Sequence, residues 1–270
     1  MKTVLITGAS SGIGKAAALE FAAQGWNVAA TMRQPEKSND LKNVKNMHLF
    51  TLDVTNSESI ANTFDEVVAR FGKIDAVVNN AGYGVDGVFE AMTDEVIRRQ
   101  YDTNVFGLMR VTRKAIEVMR AQRDGTIVQV ASMGGRLAFP LFSIYHGTKW
   151  AVEGFSESLM YELRPFNIRV KLIEPGAIKT EFYGRSREFI APKNTDVYND
   201  FIAKVEKVSQ GAGAKGDSPE KVAKAIVKSA EDKSNKLRFP VGSPAPLLLW
   251  LRHKMPDTWF FKIVKSSYKI

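Results

Sequence analysis

The stretch "SIYHGTKWAVEGF", 143–155, carries a tyrosine and a lysine four residues apart, Tyr145 and Lys149. On a helix, side chains so spaced stand one above the other on the same face. A phenol with an ordinary pKa of about 10 is a poor base at neutral pH. An ammonium one turn away favours the phenolate and lowers that value. The pair could then give a proton to, or take one from, a reacting oxygen. The same spacing also occurs on ordinary helices, where it means packing and a solvated charge. Other residues have to decide between the two.

The N-terminal run "VLITGASSGIGKAAALEF" places Gly8, Gly12 and Gly14 between an apolar run and an alanine-rich one. Glycines there permit a tight turn and let backbone N–H groups approach a pyrophosphate. The helix starting near Ile13 adds the positive end of its dipole. The spacing is G-x-x-x-G-x-G, not the commoner G-x-G-x-x-G of dinucleotide sites, and an ordinary tight β–α connection would also use glycine. Arg33 lies 19 residues after Gly14, and no acid ends the run "NVAATM" before it. A guanidinium there suits a ribose 2′-phosphate and a carboxylate would repel one, so NADP is expected over NAD. A merely solvated Arg33 is the bland alternative. Asp53, in "LFTLDVT", could accept from an adenine amino group or cap the helix beginning near Asn56. "NNAG", 79–82, has small residues that let the chain run close to a cofactor, and its amides could cross-link strands.

"TGASSGIG", "DVT", "NNAG", the Asn in "YDTNVFG", the Ser in "VASMGG", "YHGTK" and "PGAIKT" occur in this order. In that series the chain resembles the compact short-chain dehydrogenases/reductases, closely over 2–180 and more loosely beyond. The resemblance implies a seven-stranded Rossmann-type sheet and an active site of Asn104, Ser132, Tyr145 and Lys149. It carries cofactor contacts to Gly8, Ser10, Gly12, Ile13, Gly14, Arg33, Asp53, Asn79, Lys149 and Thr180. Ser132 precedes Tyr145 by 13 residues, as family members show, although Ala131 stands where a second serine is more frequent. The implied reaction moves a hydride between NADP(H) and a carbonyl or secondary alcohol. Ser132 would donate to the developing oxyanion, Tyr145 would give its proton, and Lys149 would hold the cofactor ribose. Asn104 is expected to kink its helix around a water that leads protons to Lys149. Taken singly, Ser132 and Asn104 would read as backbone-capping residues, and Thr180 as the N-cap of a following helix or a donor to the cofactor. A protein that binds NADP as a sensor without catalysis is the alternative function, but it would not need both Tyr145 and Lys149. A sugar-nucleotide epimerase or dehydratase would need a larger C-terminal region.

Strands must carry these residues. Apolar β-rich runs are expected at Thr3–Thr7, Asn27–Met32, 48–53, Ala76–Asn79, 126–131, 169–173 and 237–241, with helices between them such as 13–24 and Ser57–Phe71. Continuous apolar runs mean strands covered on both faces. The alternation gives a doubly wound parallel α/β sheet with helices on both sides. No linker or repeat divides the chain, so 1–270 is expected to be one domain. The charged, glycine-containing stretch 178–219 follows a strand, where ligands bind in open sheets, and is expected either to face the substrate or to be a plain surface helix pair. Phe139, Phe142, Ile144, Tyr183 and Phe189 are expected to line an apolar pocket for a lipophilic ketone, aldehyde or alcohol, with a simple core role as the alternative.

Composition narrows the partners. With 44% hydrophobic and 25% charged residues the chain has the balance of a globular protein. It has no cysteine, which removes disulfides and thiolate metal sites. No metal site is expected. No signal-like or membrane-spanning run is evident, and a cytoplasmic protein is expected. The net charge is +9, of which the residues from Lys236 onward hold +6. No nucleic-acid motif accompanies this charge. The segment 244–270 mixes Leu, Trp and Phe with Lys and Arg, so it could close the pocket, pack on another subunit or lie on an anionic membrane. Val152, Phe155, Leu159 and Leu163 form a helical stripe that could join the subunits of a dimer or tetramer or be buried within one chain.

Overall fold

The computed structural model describes residues 1–180 and 187–270. In chain order the strands are β1 (Thr3–Thr7), β2 (Asn27–Met32), β3 (Met47–Thr51), β4 (Ala76–Asn79), β5 (Gly84–Gly87), β6 (Gly125–Val130), β7 (Ile168–Pro175), β8 (Arg187–Ile190) and β9 (Arg238–Val241). The helices are α1 (Gly12–Ala23), α2 (Ser57–Phe71), α3 (Asp94–Tyr101), α4 (Leu108–Gln122), α5 (Ser143–Leu163), α6 (Asn199–Ala214), α7 (Pro219–Glu231), α8 (Ala245–Lys254) and α9 (Asp257–Tyr268). Among the described residues, seven strands form one parallel sheet in the order β3-β2-β1-β4-β6-β7-β9. The chain leaves β1 toward β2 on one side and later returns to β4 on the other. That reversal opens a crevice at the carboxyl ends of the strands.

The sheet is buried because both faces are covered. Every residue of β1, β4 and β6 is buried. On one face α1 and α7 pack Ala16, Ala17, Ala18, Phe21, Val222 and Ile226 against the strands. The alanines let α1 approach closely. On the other face α2, α4 and α5 contribute Ile60, Phe64, Val111, Met119, Leu159 and Leu163. Local signals set the helix ends. The Asn56 side chain accepts from the Ser59 N–H at 3.0 Å, and Gly72 ends α2 in the left-handed region at φ 80°. Asn56 therefore caps α2, and the capping alternative for Asp53 falls away. The strand before it stops at Thr51, which leaves Asp53 on the connecting turn, its Oδ1 accepting from the Thr55 N–H at 2.9 Å.

The expected strands Thr3–Thr7, Asn27–Met32 and Ala76–Asn79 have the expected bounds, and the other four differ by one or two residues at an end. The pair β5 and β8, parallel and apart from the main sheet, was not foreseen. Glycine at both ends of "GVDG" hides β5 in the sequence. Arg187 fastens the two strands by donating to Asp86 from Nε at 2.7 Å, and it also bonds Glu206 of α6. This charge-assisted fork is buried on the Asp86 side. It holds the stretch 187–214 over the crevice. Val152, Leu159 and Leu163 of the apolar stripe are buried within the chain and Phe155 is partly so. The stripe is core, not a surface for a second subunit.

A Cβ on Gly14 would lie 2.3 Å from the Gly8 carbonyl oxygen and 2.4 Å from Asn80 Nδ2. The first of these is backbone and cannot swing away. Gly14→Ala should therefore cost roughly 1–3 kcal/mol by overpacking. Thermal melts of the variant and the parent check this, and an unchanged midpoint would mean the turn has slack.

Candidate active site

The carboxyl ends of β1, β2, β4, β6 and β7 all empty into one cleft of about 1450 Å³. At its floor lies the glycine turn. Gly8 and Gly12 have φ of +68° and +53°, which L side chains adopt at a cost. A Cβ on Gly12 would reach into the cleft to within 3.5 Å of Thr180. The N-cap of α1, Ser11, makes no side-chain capping bond. The first N–H groups of α1 are thus not capped by Ser11, and an anion site uses such groups. Ser10, Ile13, Arg33, Asp53 and Thr180 line the same cleft, as do Gln34, Lys37 and Ser38. Lys15 is taken by Asp40; among the described residues Arg33 and Lys37 are the cations that face this end of the cleft. These residues fit a dinucleotide, whose pyrophosphate the turn would hold. An N-cap role for Thr180 would fall on 181–186, outside the described residues.

Two of the expected cofactor contacts stand elsewhere. Asn79 does not line the cleft. It is buried and donates from Nδ2 to Thr112 Oγ1 and Gln129 Oε1, both at 2.9 Å. Side chains alternate along a strand, so its neighbour Asn80 takes the cleft side. Asn80 Nδ2 donates to the carbonyls of Thr7 and Gly8 at 3.0 and 3.1 Å and so braces the turn. Gly14 sits behind the turn and serves close packing.

At the other end of the cleft, α5 presents Tyr145, His146 and Lys149. The Lys149 ammonium donates to the Val130 carbonyl at 2.9 Å and lies 5.8 Å from the centroid of the Tyr145 ring. Burial pulls its pKa down to about 8, against the pull of the Glu153 carboxylate one turn further along α5. It therefore still carries its proton at neutral pH. Ser132 follows β6 in extended backbone and accepts the Gly134 N–H on Oγ at 3.0 Å. That bond uses a lone pair and leaves the hydroxyl proton for a substrate oxygen. Asn104 does not reach the cleft. It is buried in the π-helical turn Asp102–Gly107 that joins α3 to α4. Its Oδ1 accepts from the Tyr83 N–H at 3.1 Å, while Nδ2 donates to the Tyr83 carbonyl at 2.9 Å and to Thr148 Oγ1 at 3.3 Å. Asn104 is thus a clasp between the β4–β5 loop and α5. The expected break in the helix is present as the π turn.

Three residues near the site were not read from the sequence. His146, buried, accepts the Phe139 N–H on Nδ1 at 3.3 Å and stacks on Phe142 at 5.5 Å. Burial lowers its pKa to about 4, which keeps it neutral with Nε2 as the donor. Glu153 and Glu174 are hydrogen-bond neighbours behind Lys149, flanked by Arg136 and Arg238. Burial first, and then the Glu174 carboxylate, pushes Glu153 up to about 7. Burial raises Glu174 as well. Glu153 Oε1 and Glu174 Oε2 are buried with no other donor, an arrangement that one shared proton satisfies. The i, i+4, i+8 row of Tyr145, Lys149 and Glu153 was the available signal.

The substrate end is walled by Phe139, Phe142, Met133, Leu248, Phe260, Val264 and Tyr268. Ile144 and Phe189, expected here, are packed into neighbouring clusters with Val85 and with Tyr198. Tyr183 lies outside the described residues. The C-terminal helices α8 and α9 form one wall, which answers the pocket-closing expectation for 244–270.

A family profile described as short chain dehydrogenase matches residues 2–191. The chain belongs to the short-chain dehydrogenase/reductase family. It is an oxidoreductase of that family, whose members use nicotinamide dinucleotides. It is similar to 3-ketodihydrosphingosine reductase of Bacteroides thetaiotaomicron, with 33% identity over 99% of this chain and 98% of the relative. A solved short-chain dehydrogenase from Streptomyces avermitilis superposes with a TM-score of 0.82 at 35% identity, covering 98% of this chain and 97% of the other. ElxO with NADP bound superposes with a TM-score of 0.72 at 27% identity, covering 88% of this chain and 97% of the other.

The two ionisations behind the site order its pH response. Glu153 ionises near 7 and Lys149 loses its proton near 8. In the cofactor-free enzyme the ammonium is present below about 8 and is lost as pH rises through that value. A proton donor that depends on it loses support over the same interval, so reductive kcat/KM should fall there. The Glu153 carboxylate raises the Lys149 pKa. Glu153→Gln should therefore move the alkaline limb to lower pH. A pH profile of kcat/KM for both proteins checks this, and coincident limbs would detach Glu153 from Lys149.

Proposed function

We propose that the protein is an NADP-dependent oxidoreductase that moves a hydride between nicotinamide and the carbonyl or secondary alcohol of a lipophilic molecule. The observation that carries this reading is the Lys149 ammonium, fixed on the Val130 carbonyl beside the Tyr145 ring and in one cleft with Ser132. Bound NADPH would supply the hydride to the carbonyl carbon. Ser132 holds the carbonyl oxygen through its hydroxyl proton, and Tyr145 gives that oxygen a proton. Lys149 favours the phenolate that results. In the oxidative direction the same groups run in reverse, with the Tyr145 phenolate taking the alcohol proton. The turn at Gly8–Gly12 and the N-terminus of α1 would hold the pyrophosphate; Asn80 braces that turn, and Asn104 ties the β4–β5 loop to α5.

NADP is supported by Arg33 and Lys37 at the ribose end and by the NADP-bound ElxO neighbour. The lipophilic substrate is supported by the aromatic and aliphatic wall from Phe139 to Tyr268 and by the relative named 3-ketodihydrosphingosine reductase.

A panel of lipophilic and small polar carbonyls, followed by loss of NADPH absorbance, tests the substrate class; faster turnover of the polar members would refute it. Tyr145→Phe should lower kcat by about 10²–10⁴-fold with NADPH affinity nearly unchanged. Turnover within a few-fold of the parent would remove Tyr145 from its role. Arg33→Asp should raise the ratio of NADH to NADPH efficiency, and a constant ratio would contradict the phosphate contact.

A further inference from the structure

The C-terminal helix pair has two faces of opposite use. Inward, Leu249 and Phe260 are buried against Leu137, and Tyr268 is buried against Leu141 and Val205. Outward, Leu247, Trp250, Trp259, Phe261 and Ile263 are between 41% and 62% exposed. These five account for much of the large apolar surface that the described residues leave in water. Leu247, Trp250 and Lys254 share one face of α8, and Trp259, Lys262 and Ile263 share one face of α9. Lys254, Lys262, Lys265 and Lys269, all exposed, lie on or next to the same two helices, and Asp257 is the one acid in 244–270. Asp257 is engaged by Arg252, whose guanidinium also lies 5.4 Å from the Phe260 ring centroid.

We propose that this face docks the enzyme on an anionic lipid bilayer. Exposed indoles and aliphatic side chains ringed by lysines suit the headgroup boundary, where rings enter and ammonium groups meet phosphate. Among the described residues no helix is long and apolar enough to cross a membrane, so the attachment is peripheral. A second copy of the chain fits this face poorly. A two-fold contact sets a patch against itself, which here would oppose four exposed lysines to four, since the one acid, Asp257, is engaged by Arg252. The docking face is continuous with the cleft, because Ile263 is both exposed and part of the cleft wall. A lipophilic substrate could then pass between bilayer and cleft along α9 without crossing water. That route rests on the proposed lipophilic substrate, whereas the docking itself does not.

The test is sedimentation of the full chain with vesicles of phosphatidylcholine alone and of phosphatidylcholine with phosphatidylserine. The protein should sediment with the mixed vesicles only and be released by salt. Lys254→Glu, Lys262→Glu and Lys265→Glu together should weaken binding by about a hundredfold or more, with circular dichroism unchanged. NADPH oxidation with a short soluble carbonyl should be equal in parent and triple variant, since none of the three lysines lines the cleft. That assay reports on the oxidoreductase reading independently of lipid. Failure to sediment with anionic vesicles, or equal binding by the charge-reversed variant, would overturn the docking. So would a Trp250→Ala, Trp259→Ala variant that keeps its vesicle binding while ultracentrifugation shows a lost dimer, because the face would then belong to a second copy.

Discussion

A buried ammonium sets the terms for this site. Lys149 is removed from water, and its hydrogen bond to the Val130 carbonyl fixes where its charge sits. Burial disfavours the charged form, which is why its pKa falls to about 8. The surrounding structure keeps the loss that small. The Glu153 carboxylate lies one turn along α5, and Glu153 is tied to Glu174, Arg136 and Arg238. The charge beside Tyr145 is thus linked through α5 to the ends of β7 and β9. Removing either arginine would leave the buried Glu153 and Glu174 carboxyls less well balanced.

The sheet was legible because a parallel sheet covered on both faces writes itself as continuous apolar runs. β1, β2 and β4 could be bounded to the residue for that reason. The glycine turn was legible because Gly8 and Gly12 need positive φ. Strand parity was not legible at "NNAG". The motif does not say which asparagine faces the cleft, and Asn80 rather than Asn79 does. The position of Asn104 behind the cleft was also hidden, since its bonds reach Tyr83 and Thr148, 21 and 44 residues away in sequence.

The substrate side was read less well, for a physical reason. Its walls come from segments distant in sequence: the loop before α5, the stretch 187–214, and the two C-terminal helices. Aromatic residues there can serve the pocket or the clusters around it. Phe139 and Phe142 line the cleft while Phe189 packs beside Tyr198. Composition alone does not sort them. The Arg187–Asp86 pair, which holds the insertion in place, joins residues 101 apart and leaves no local mark.

The central claim is that the Lys149 charge governs the ionisation of Tyr145. The most direct test is an ultraviolet titration of the tyrosinate band in the NADP-bound protein, in the parent, in Tyr145→Phe and in Lys149→Met. One tyrosine should ionise at lower pH than the rest in the parent, vanish in Tyr145→Phe, and return to the others in Lys149→Met. An early-ionising tyrosine that survives the loss of Lys149 would contradict the account.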